Sequence, residues 1–293
     1  MKGKILTFCI RAAFWVSGLI PRSMAILMGR FLGWMMQHVI RFRRDIVLEN
    51  LEQVYGSRES WPDDILRRIY RHFGLLAIEM LCLPSLTEEG LKKKIHYHNF
   101  HYVDEALEKN NGLMAISGHI GNWEYGIAGL AQCGYRPHVV VKKLKDIDND
   151  YLFERLRGSK GVTSILKDKA VLALRRALKK NSLVVVVIDQ NSKRGEGTFV
   201  DHFGKQASTY SAPGVLSRKF KSPTLPVFSY RDENLWDHHV VAFPEIKQIE
   251  TGSSDQENLR LNTQEYIRVF EEFLMKYPEQ WIWMHRRWKT QPK

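Results

Sequence analysis

The chain has 293 residues, of which 44% are hydrophobic, so it is long enough to bury a full core. Its 44 Lys and Arg against 32 Asp and Glu give a formal net charge of +12, which indicates an anionic partner such as phospholipid, nucleic acid or an acidic carrier protein. The three cysteines are widely spaced and odd in number, which argues against a disulfide framework or a cysteine zinc cluster and fits a reducing, cytosolic compartment.

The first forty residues are mostly apolar and differ in kind from the rest of the chain. Arg11 interrupts an apolar run at residues 5–20, and Arg30 interrupts a second run at residues 24–40. Neither run provides the roughly 20 uninterrupted apolar residues of a comfortable spanning helix. A charge near the middle of the first run is costly in a bilayer unless it snorkels or pairs.

We predict that residues 1–40 form a membrane-associated helical segment, either tilted across the bilayer or lying in its interface. The basic cluster Arg41, Arg43 and Arg44 favours an anionic phospholipid surface. A cleaved signal peptide and a helical hairpin buried in the core are the alternatives. Residues 41–293 are the second predicted unit, a single domain.

From Asp45 onward, hydrophobic periodicity predicts helices that alternate with short strands. The predicted helices cover residues 47–55, 65–80, 122–131, 168–180, 208–220 and 262–277. The predicted strands cover residues 113–117, 139–141, 183–188, 225–230 and 238–243, and residues 251–257 resemble a linker. The run from Leu183 to Ile188 is apolar and mostly β-branched, which is typical of a strand buried on both faces. The pattern predicts an α/β fold with a mixed, largely parallel central sheet flanked by helices.

The segment Ser117-Gly118-His119-Ile120-Gly121-Asn122-Trp123-Glu124 follows the first of these strands. On one regular helix, His119 and Glu124 would point about 140° apart. At a strand-to-helix turn, a carboxylate in the first helical turn can bond one ring nitrogen of the histidine and set its tautomer. We therefore predict that His119 is a general base oriented by Glu124. The alternative is a structural histidine in the core, with Glu124 placed to favour the helix dipole.

The same segment resembles a known family signature. His119 and Glu124 are similar to the His-x4-Asp/Glu motif of glycerolipid acyltransferases, and the eight-residue string is similar to that of the bacterial late acyltransferases of lipid A biosynthesis. The C-terminal string from Pro278 to Lys289 also resembles the ending of this family. With matches between these two strings, the resemblance covers roughly residues 10–290 and implies an acyltransferase with a glycerolipid acyltransferase-like fold.

The resemblance also implies substrate-binding residues. Arg157, preferred over Arg155, is implied to bind substrate phosphate or the developing oxyanion. Asp189 and Gln190, at the end of the strand at 183–188, match a family position near the substrate. Without the resemblance, Asp189 is as well explained as a helix N-cap, and Arg157 as a solvated surface cation.

Two further residues complete the candidate substrate-binding set. Asn122 lies within the motif, and Lys143 follows the second predicted strand. Lys142 and Lys143 stand where the family usually has an arginine and a proline, a departure that bears on the headgroup bound rather than on the reaction.

The resemblance implies acyl-acyl carrier protein as the donor and a hydroxyl of a lipid A precursor as the acceptor. It implies neither a metal nor a bound cofactor, and it places the enzyme at the bacterial inner membrane with its catalytic domain on the cytoplasmic face. The alternative acceptors are a phosphatidylinositol mannoside, an amino-acid lipid or a lysophospholipid. A non-catalytic basic protein that binds membranes is the other alternative, and we expect no nucleic-acid partner because the chain lacks helix-turn-helix and RNA-binding signatures.

The locations of three tryptophans and three histidines are read from their neighbours in sequence. Trp281, Trp283 and Trp288 alternate with basic residues, as in a membrane-interface belt, but packing in the core explains them equally well. The three histidines of the lysine-rich stretch lack carboxylate or cysteine partners, so we predict that they lie on the surface rather than bind a metal; they are His96, His98 and His101.

Overall fold

The computed structural model describes residues 20–141, 154, 156–166, 170–252 and 254–292. Its main helices are α1 (Arg22–His38), α2 (Arg44–Tyr55), α3 (Ile65–Cys82), α4 (Glu88–Lys92), α5 (His101–Glu108), α6 (Trp123–Gln132), α7 (Ala170–Lys179), α8 (Ala212–Phe220) and α9 (Asp255–Lys276). The strands are β1 (Ile95–His98), β2 (Leu113–Ser117), β3 (Pro137–Val141), β4 (Thr163–Leu166), β5 (Leu183–Val187), β6 (Gly197–His202), β7 (Lys205–Tyr210), β8 (Thr224–Arg231) and β9 (His238–Ala242).

Seven strands form a central sheet in the order β1-β9-β8-β2-β5-β3-β4. Strands β8, β2, β5, β3 and β4 run parallel to one another, and β9 is antiparallel to β8. The first four residues of β5 are buried because helices cover both faces of the sheet, as the run of β-branched residues indicates. The predicted mixed, largely parallel α/β architecture is confirmed. Because β2 and β5 are parallel neighbours, their carboxyl ends lie side by side at one edge of the sheet.

The two faces of the sheet have separate cores. Tyr125 and Leu130 of α6 pack on one face together with Ala115 and Val185. On the other face, α7, α8 and α9 contribute buried residues that pack against the alternate side chains of the same strands; they are Leu174, Ala177, Leu178, Leu216, Tyr266 and Ile267. Successive side chains of β2 and β5 point to opposite faces of the sheet, so these two strands contribute to both cores.

Sequence periodicity missed the β6–β7 hairpin and misplaced the starts of two helices. Residues 208–210, predicted as the start of a helix, belong to β7, which pairs with β6 in an antiparallel hairpin. The helix begins at Ala212, because Pro213 fits only its first turn. Within the predicted linker, Ser254 accepts a hydrogen bond from the backbone N–H of Glu257 and caps α9, so the helix begins there rather than at 262.

Helix α1 occupies most of the second apolar run and packs on α3. Gly29, Gly33 and Gly74 allow the two backbones to meet: a Cβ at Gly33 would lie 2.4 Å from the carbonyl oxygen of Tyr70. The opposite face of α1 is exposed, with Leu27 67% exposed and other apolar side chains beside it. Helix α1 therefore has one face packed on the protein and one face in solvent, unlike a helix of a fully buried hairpin. In the part of the chain that the structure describes, no helix is both long and apolar enough to cross a membrane, and the first apolar run lies outside that part up to residue 19.

The C-terminal tryptophans lie in the core. Trp281 and Trp283 are buried against each other, with ring centroids 5.0 Å apart, and Trp288 packs beside Trp281. Their burial decides between the two alternatives and rules out a membrane-interface belt for these three rings.

Candidate active site

The motif forms the predicted strand-turn-helix. Strand β2 ends at Ser117, and Asn122 caps α6 by accepting a hydrogen bond from the backbone N–H of Tyr125 at 3.0 Å. Gly121 has a φ of +63°, and a Cβ there would lie 2.4 Å from the carbonyl oxygen of Ser229. Only glycine fits both constraints, so this residue lets the chain turn sharply between strand and helix.

His119 lies in this turn beside the end of β5. Its Nδ1 donates a hydrogen bond to Oδ1 of Asp189 at 2.9 Å. Asp189 is fully buried, and its other oxygen accepts a hydrogen bond from Nε1 of Trp281, also at 2.9 Å. His119 itself is partly exposed, and its ring meets Trp123 edge to face. Parallel pairing of β2 with β5 is what brings residues 70 positions apart into contact.

Asp189 is an ionised hydrogen-bond acceptor that is fully buried. Burial by itself raises the pKa of Asp189, but the interactions with His119 and Trp281 outweigh it and hold that pKa below its usual range. Since a carboxylate can only accept, the proton of the imidazole lies on Nδ1 and Nε2 presents a lone pair. The amide nitrogen of Gln190 lies 3.4 Å from Nε2. The arrangement can therefore accept a proton at Nε2 and stabilise the resulting imidazolium.

Glu124 has a different partner from the one that the sequence predicts. Its carboxylate accepts two hydrogen bonds from Arg157, from Nη2 at 2.6 Å and from Nε at 3.1 Å. The group bonded to Nδ1 of His119 is Asp189, which the family resemblance implies to lie near the substrate. In this geometry the carboxylate that bonds to His119 is Asp189, and the orienting role predicted for Glu124 stays a prediction. The physical reason is that β5 ends next to His119, whereas the first turn of α6 directs Glu124 toward Arg157.

The other sequence candidates divide into three groups. Gln190 lies beside His119, and its predicted contact with substrate stays a prediction. Asn122 is fully buried and its amide bonds within the protein, to Tyr125 and to Glu79, while its predicted contact with substrate stays a prediction. Lys143 and Arg155 lie outside the described residues.

The C-terminal segment completes the site from outside the sheet. The backbone N–H of Ile282 donates to the carbonyl of His119 at 3.1 Å, and that of Gly121 donates to the carbonyl of Gln280 at 3.1 Å. Together with the Trp281 bond to Asp189, these contacts position the turn and its acidic partner. The family resemblance of the C-terminal string is the sequence signal that this segment matters to the site. Residue spacing alone does not predict that Trp281 bonds to Asp189.

Sequence reasoning missed two further groups near Asp189, the partly buried His285 and the buried Arg287. Burial lowers the pKa of His285 to about 4, so this ring is neutral and its Nε2 accepts the backbone N–H of Asn191 at 2.9 Å. Burial also lowers the pKa of Arg287 to about 10, although Asp189 opposes this, and the guanidinium donates to the carbonyl of Ser208 at 2.9 Å. Arg287 thus places a cation behind Asp189 without bonding to it.

The surface histidines lie where the sequence predicts, since His96, His98 and His101 are all exposed. His98 meets His239 at 2.8 Å between ring nitrogens, while His238 is buried on the opposite face of β9. Among the residues that the structure describes, no group of three or more His, Cys, Asp or Glu is arranged to bind a metal ion.

Fold and site define an α/β protein with a histidine–aspartate pair at the carboxyl ends of two neighbouring parallel strands. The chain belongs to the bacterial lipid A biosynthesis acyltransferase family, whose profile matches residues 1–290. This confirms the family resemblance and makes the chain a member of a family of acyltransferases, enzymes of the transferase class.

Named relatives agree with this family over nearly the full length. Lipid A biosynthesis palmitoleoyltransferase of Escherichia coli K12 is 24% identical over 300 residues, covering 98% of this chain and 92% of that protein. Lipid A biosynthesis lauroyltransferase of the same organism is 22% identical over 293 residues, with the same coverage. The solved structure of the 1-acyl-sn-glycerophosphate acyltransferase PlsC of Thermotoga maritima is 15% identical, with a TM-score of 0.38, and the match covers 89% of this chain and 99% of that chain.

Proposed function

We propose that the protein transfers a fatty acyl chain from acyl-acyl carrier protein to a hydroxyl of a lipid A precursor, with His119 as the general base. The observation that supports this most directly is the hydrogen bond between His119 and the buried Asp189. Membership of the family supports the reaction class, and the names of the relatives support lipid A as the acceptor.

In the proposed mechanism, Nε2 of His119 takes the proton of the acceptor hydroxyl. The alkoxide oxygen attacks the thioester carbonyl, and a carbon–oxygen bond forms as the carbonyl electrons move to oxygen. Collapse of this intermediate breaks the carbon–sulfur bond, and the imidazolium returns its proton to the departing thiolate. Asp189 stabilises the imidazolium during the reaction, and general base catalysis of this kind contributes roughly 10² to 10⁴ in rate.

Arg157 is proposed to face the anionic part of the substrates, and Glu124 to position it. The two hydrogen bonds from Glu124 set the plane of the guanidinium, which is suited to phosphate or to an oxyanion. In this proposal Glu124 contributes to the reaction through Arg157, and Asp189 takes the orienting role. Gln190, beside Nε2 of His119, is proposed to contact the acceptor.

Contact with the cytoplasmic face of a bacterial inner membrane is proposed through α1. The exposed face of this helix carries Leu27, Phe31 and Trp34, which are 67%, 58% and 52% exposed. An amphipathic helix with an apolar outer face can lie in the interface without crossing the bilayer. The net charge of +12 favours both an anionic membrane and an acidic carrier protein.

The test is acyl transfer by the purified full chain in vesicles that contain a lipid A precursor and acyl-acyl carrier protein with a labelled acyl group. Mass spectrometry should show the precursor gaining one acyl chain, and His119→Ala should abolish this gain while the thermal unfolding curve remains cooperative. His101→Ala serves as the control, because this histidine is exposed and lies outside the site. Wild-type rates in His119→Ala, or label that enters only another lipid class, would contradict the proposal.

A further inference from the structure

A buried ionic cluster lies under the turn that carries His119. Glu79 of α3 bonds to Arg231, at the end of β8, through both of its oxygens, one of them 2.7 Å from Nη2. Nε2 of His238, at the start of β9, lies 3.1 Å from the same carboxylate. All three side chains are buried. The cluster therefore joins a helix and two strands around one carboxylate.

The carboxylate also bonds directly to the site turn. Nδ2 of Asn122 donates to Oε2 of Glu79 at 2.8 Å, while Oδ1 of the same amide caps α6. The hydroxyl of Tyr125, one turn into α6, donates to the main-chain carbonyl of Glu79 at 3.1 Å. Glu79 thus contacts both the residue that caps α6 and a residue of its first turn.

A second route connects the cluster to the turn through the C-terminal segment. The side chain of Gln280 bonds to both main-chain groups of Arg231, accepting from N–H at 2.6 Å and donating to the carbonyl at 2.9 Å. The main-chain carbonyl of Gln280 accepts the N–H of Gly121. The turn around His119 is therefore bonded to the cluster on two sides.

The charge state of the cluster sets the orientation of the amide of Asn122. Burial raises the pKa of Glu79, but Arg231 and His238 outweigh this effect and leave the pKa below its usual value. An ionised carboxylate only accepts, so Asn122 must turn its Nδ2 to Glu79 and its oxygen to the helix. A neutral group in place of Glu79 removes that constraint.

We propose that Glu79 is a positioning residue for the acyl transfer: through Asn122 it fixes the turn that presents His119 to Asp189 and to the substrates. This inference rests on the proposed function, because its kinetic effect is measured on that reaction. Glu79 and Asn122 do not touch the reacting atoms, and they act through the backbone that carries His119.

The first experiment separates the capping role of Asn122 from its bond to Glu79. Asn122→Ser retains an N-cap oxygen but removes the amide that donates to Glu79, and the serine hydroxyl ends one atom short of the position of that amide nitrogen. We expect kcat to fall about 10- to 100-fold, with KM for both substrates within about twofold, because a misplaced base affects the chemical step. Asn258→Ser is the matched control: Asn258 is a buried asparagine that accepts a hydrogen bond from the N–H of Thr251 near the start of α9, and we expect wild-type kcat.

The second experiment is a double-mutant cycle that distinguishes positioning from general loss of stability. Asn122→Asp retains the cap but puts a second carboxylate against Glu79, so we expect a larger loss of kcat. Adding Glu79→Gln supplies an amide donor to the new carboxylate and reverses the direction of the hydrogen bond. We expect the double variant to recover kcat at least about 10-fold over Asn122→Asp, which is the coupling expected of groups in contact.

A third measurement does not depend on activity. Hydrogen exchange at the amides of Gly121 and Ile282 should be about 10-fold faster in Asn122→Ser than in the wild type, and unchanged in Asn258→Ser. Wild-type kcat and exchange in Asn122→Ser, or a double variant no faster than Asn122→Asp, would overturn the inference. If the wild-type chain transfers no acyl group, the proposed function fails, whereas the exchange comparison still decides whether Glu79 positions the turn.

Discussion

Nε1 of Trp281 donates a hydrogen bond to Asp189 at 2.9 Å, on the carboxylate oxygen that does not bond to His119. Each oxygen of the buried carboxylate thus has its own donor, one from the turn after β2 and one from the C-terminal segment. The indole also packs against Trp283. A tryptophan close to the C-terminus therefore holds the carboxylate that bonds to His119.

The exchange Asp189→Asn tests which carboxylate orients His119. An amide at this position can donate to Nδ1 and leave the wrong nitrogen protonated, so we expect kcat to fall roughly 10²- to 10⁴-fold. Glu124→Gln is the comparison, because Glu124 bonds to Arg157. Glu124→Gln should raise KM for the substrate whose anionic group Arg157 binds more than it lowers kcat. Steady-state acyl transfer rates measure both, and a larger kcat loss in Glu124→Gln than in Asp189→Asn would restore Glu124 as the orienting residue.

The pair Trp281→Phe and Trp283→Phe separates the indole bond from packing. Both side chains are buried, and each Nε1 has a partner: Asp189 for Trp281, and the carbonyl of Pro278 for Trp283. Each change should lower the free energy of unfolding by about 1 to 3 kcal/mol, because it leaves a buried acceptor unsatisfied. Only Trp281→Phe should also lower kcat. Equal kcat in the two variants would show that the bond to Asp189 has no role in the reaction.

The stability of the fold should decrease at mildly acidic pH, partly because of His202. Burial lowers the pKa of His202 to about 4, although Glu271 beside it opposes the shift. The unfolded chain therefore binds more protons than the folded chain between pH about 6.5 and 4, and the free energy of unfolding falls as pH falls through that window. His202→Asn retains a donor to Glu271 and removes the titrating group. Denaturant titrations at pH 7 and pH 4.5 should show about 1 to 3 kcal/mol less pH dependence in this variant; an unchanged slope would contradict the assignment.

The outer face of α1 should determine membrane binding. Changing Leu27, Phe31 and Trp34 together to serine should reduce binding to vesicles of anionic phospholipid at least about 10-fold, because it removes the buried apolar area on which interfacial helices depend. Met275→Ser is the control, since Met275 is also half-exposed but lies on α9. Vesicle co-sedimentation at two salt concentrations measures the effect. Undiminished binding of the triple variant would place the membrane contact elsewhere.

Much of the fold follows from local patterns. The apolar, mostly β-branched run at 183–187 is typical of a strand whose two faces are both covered. The glycines on either side of His119 favour a tight turn between a strand and a helix. By contrast, the β6–β7 hairpin has little periodicity and depends on pairing with a neighbouring strand, so no local signal predicts it. The four-residue strand β4 is likewise specified by its partner β3.

The sequence by itself determined the class of fold, the strand-turn-helix that carries His119, and the family. Only the tertiary structure decided the partners of the charged groups. Spacing along the chain favours Glu124 as the partner of His119, but strand pairing brings Asp189 into contact with His119, and Glu124 bonds to Arg157. The physical reason is that hydrogen bonds depend on which strand ends are neighbours and on how buried charges are neutralised, and both are properties of the packed sheet rather than of residue spacing.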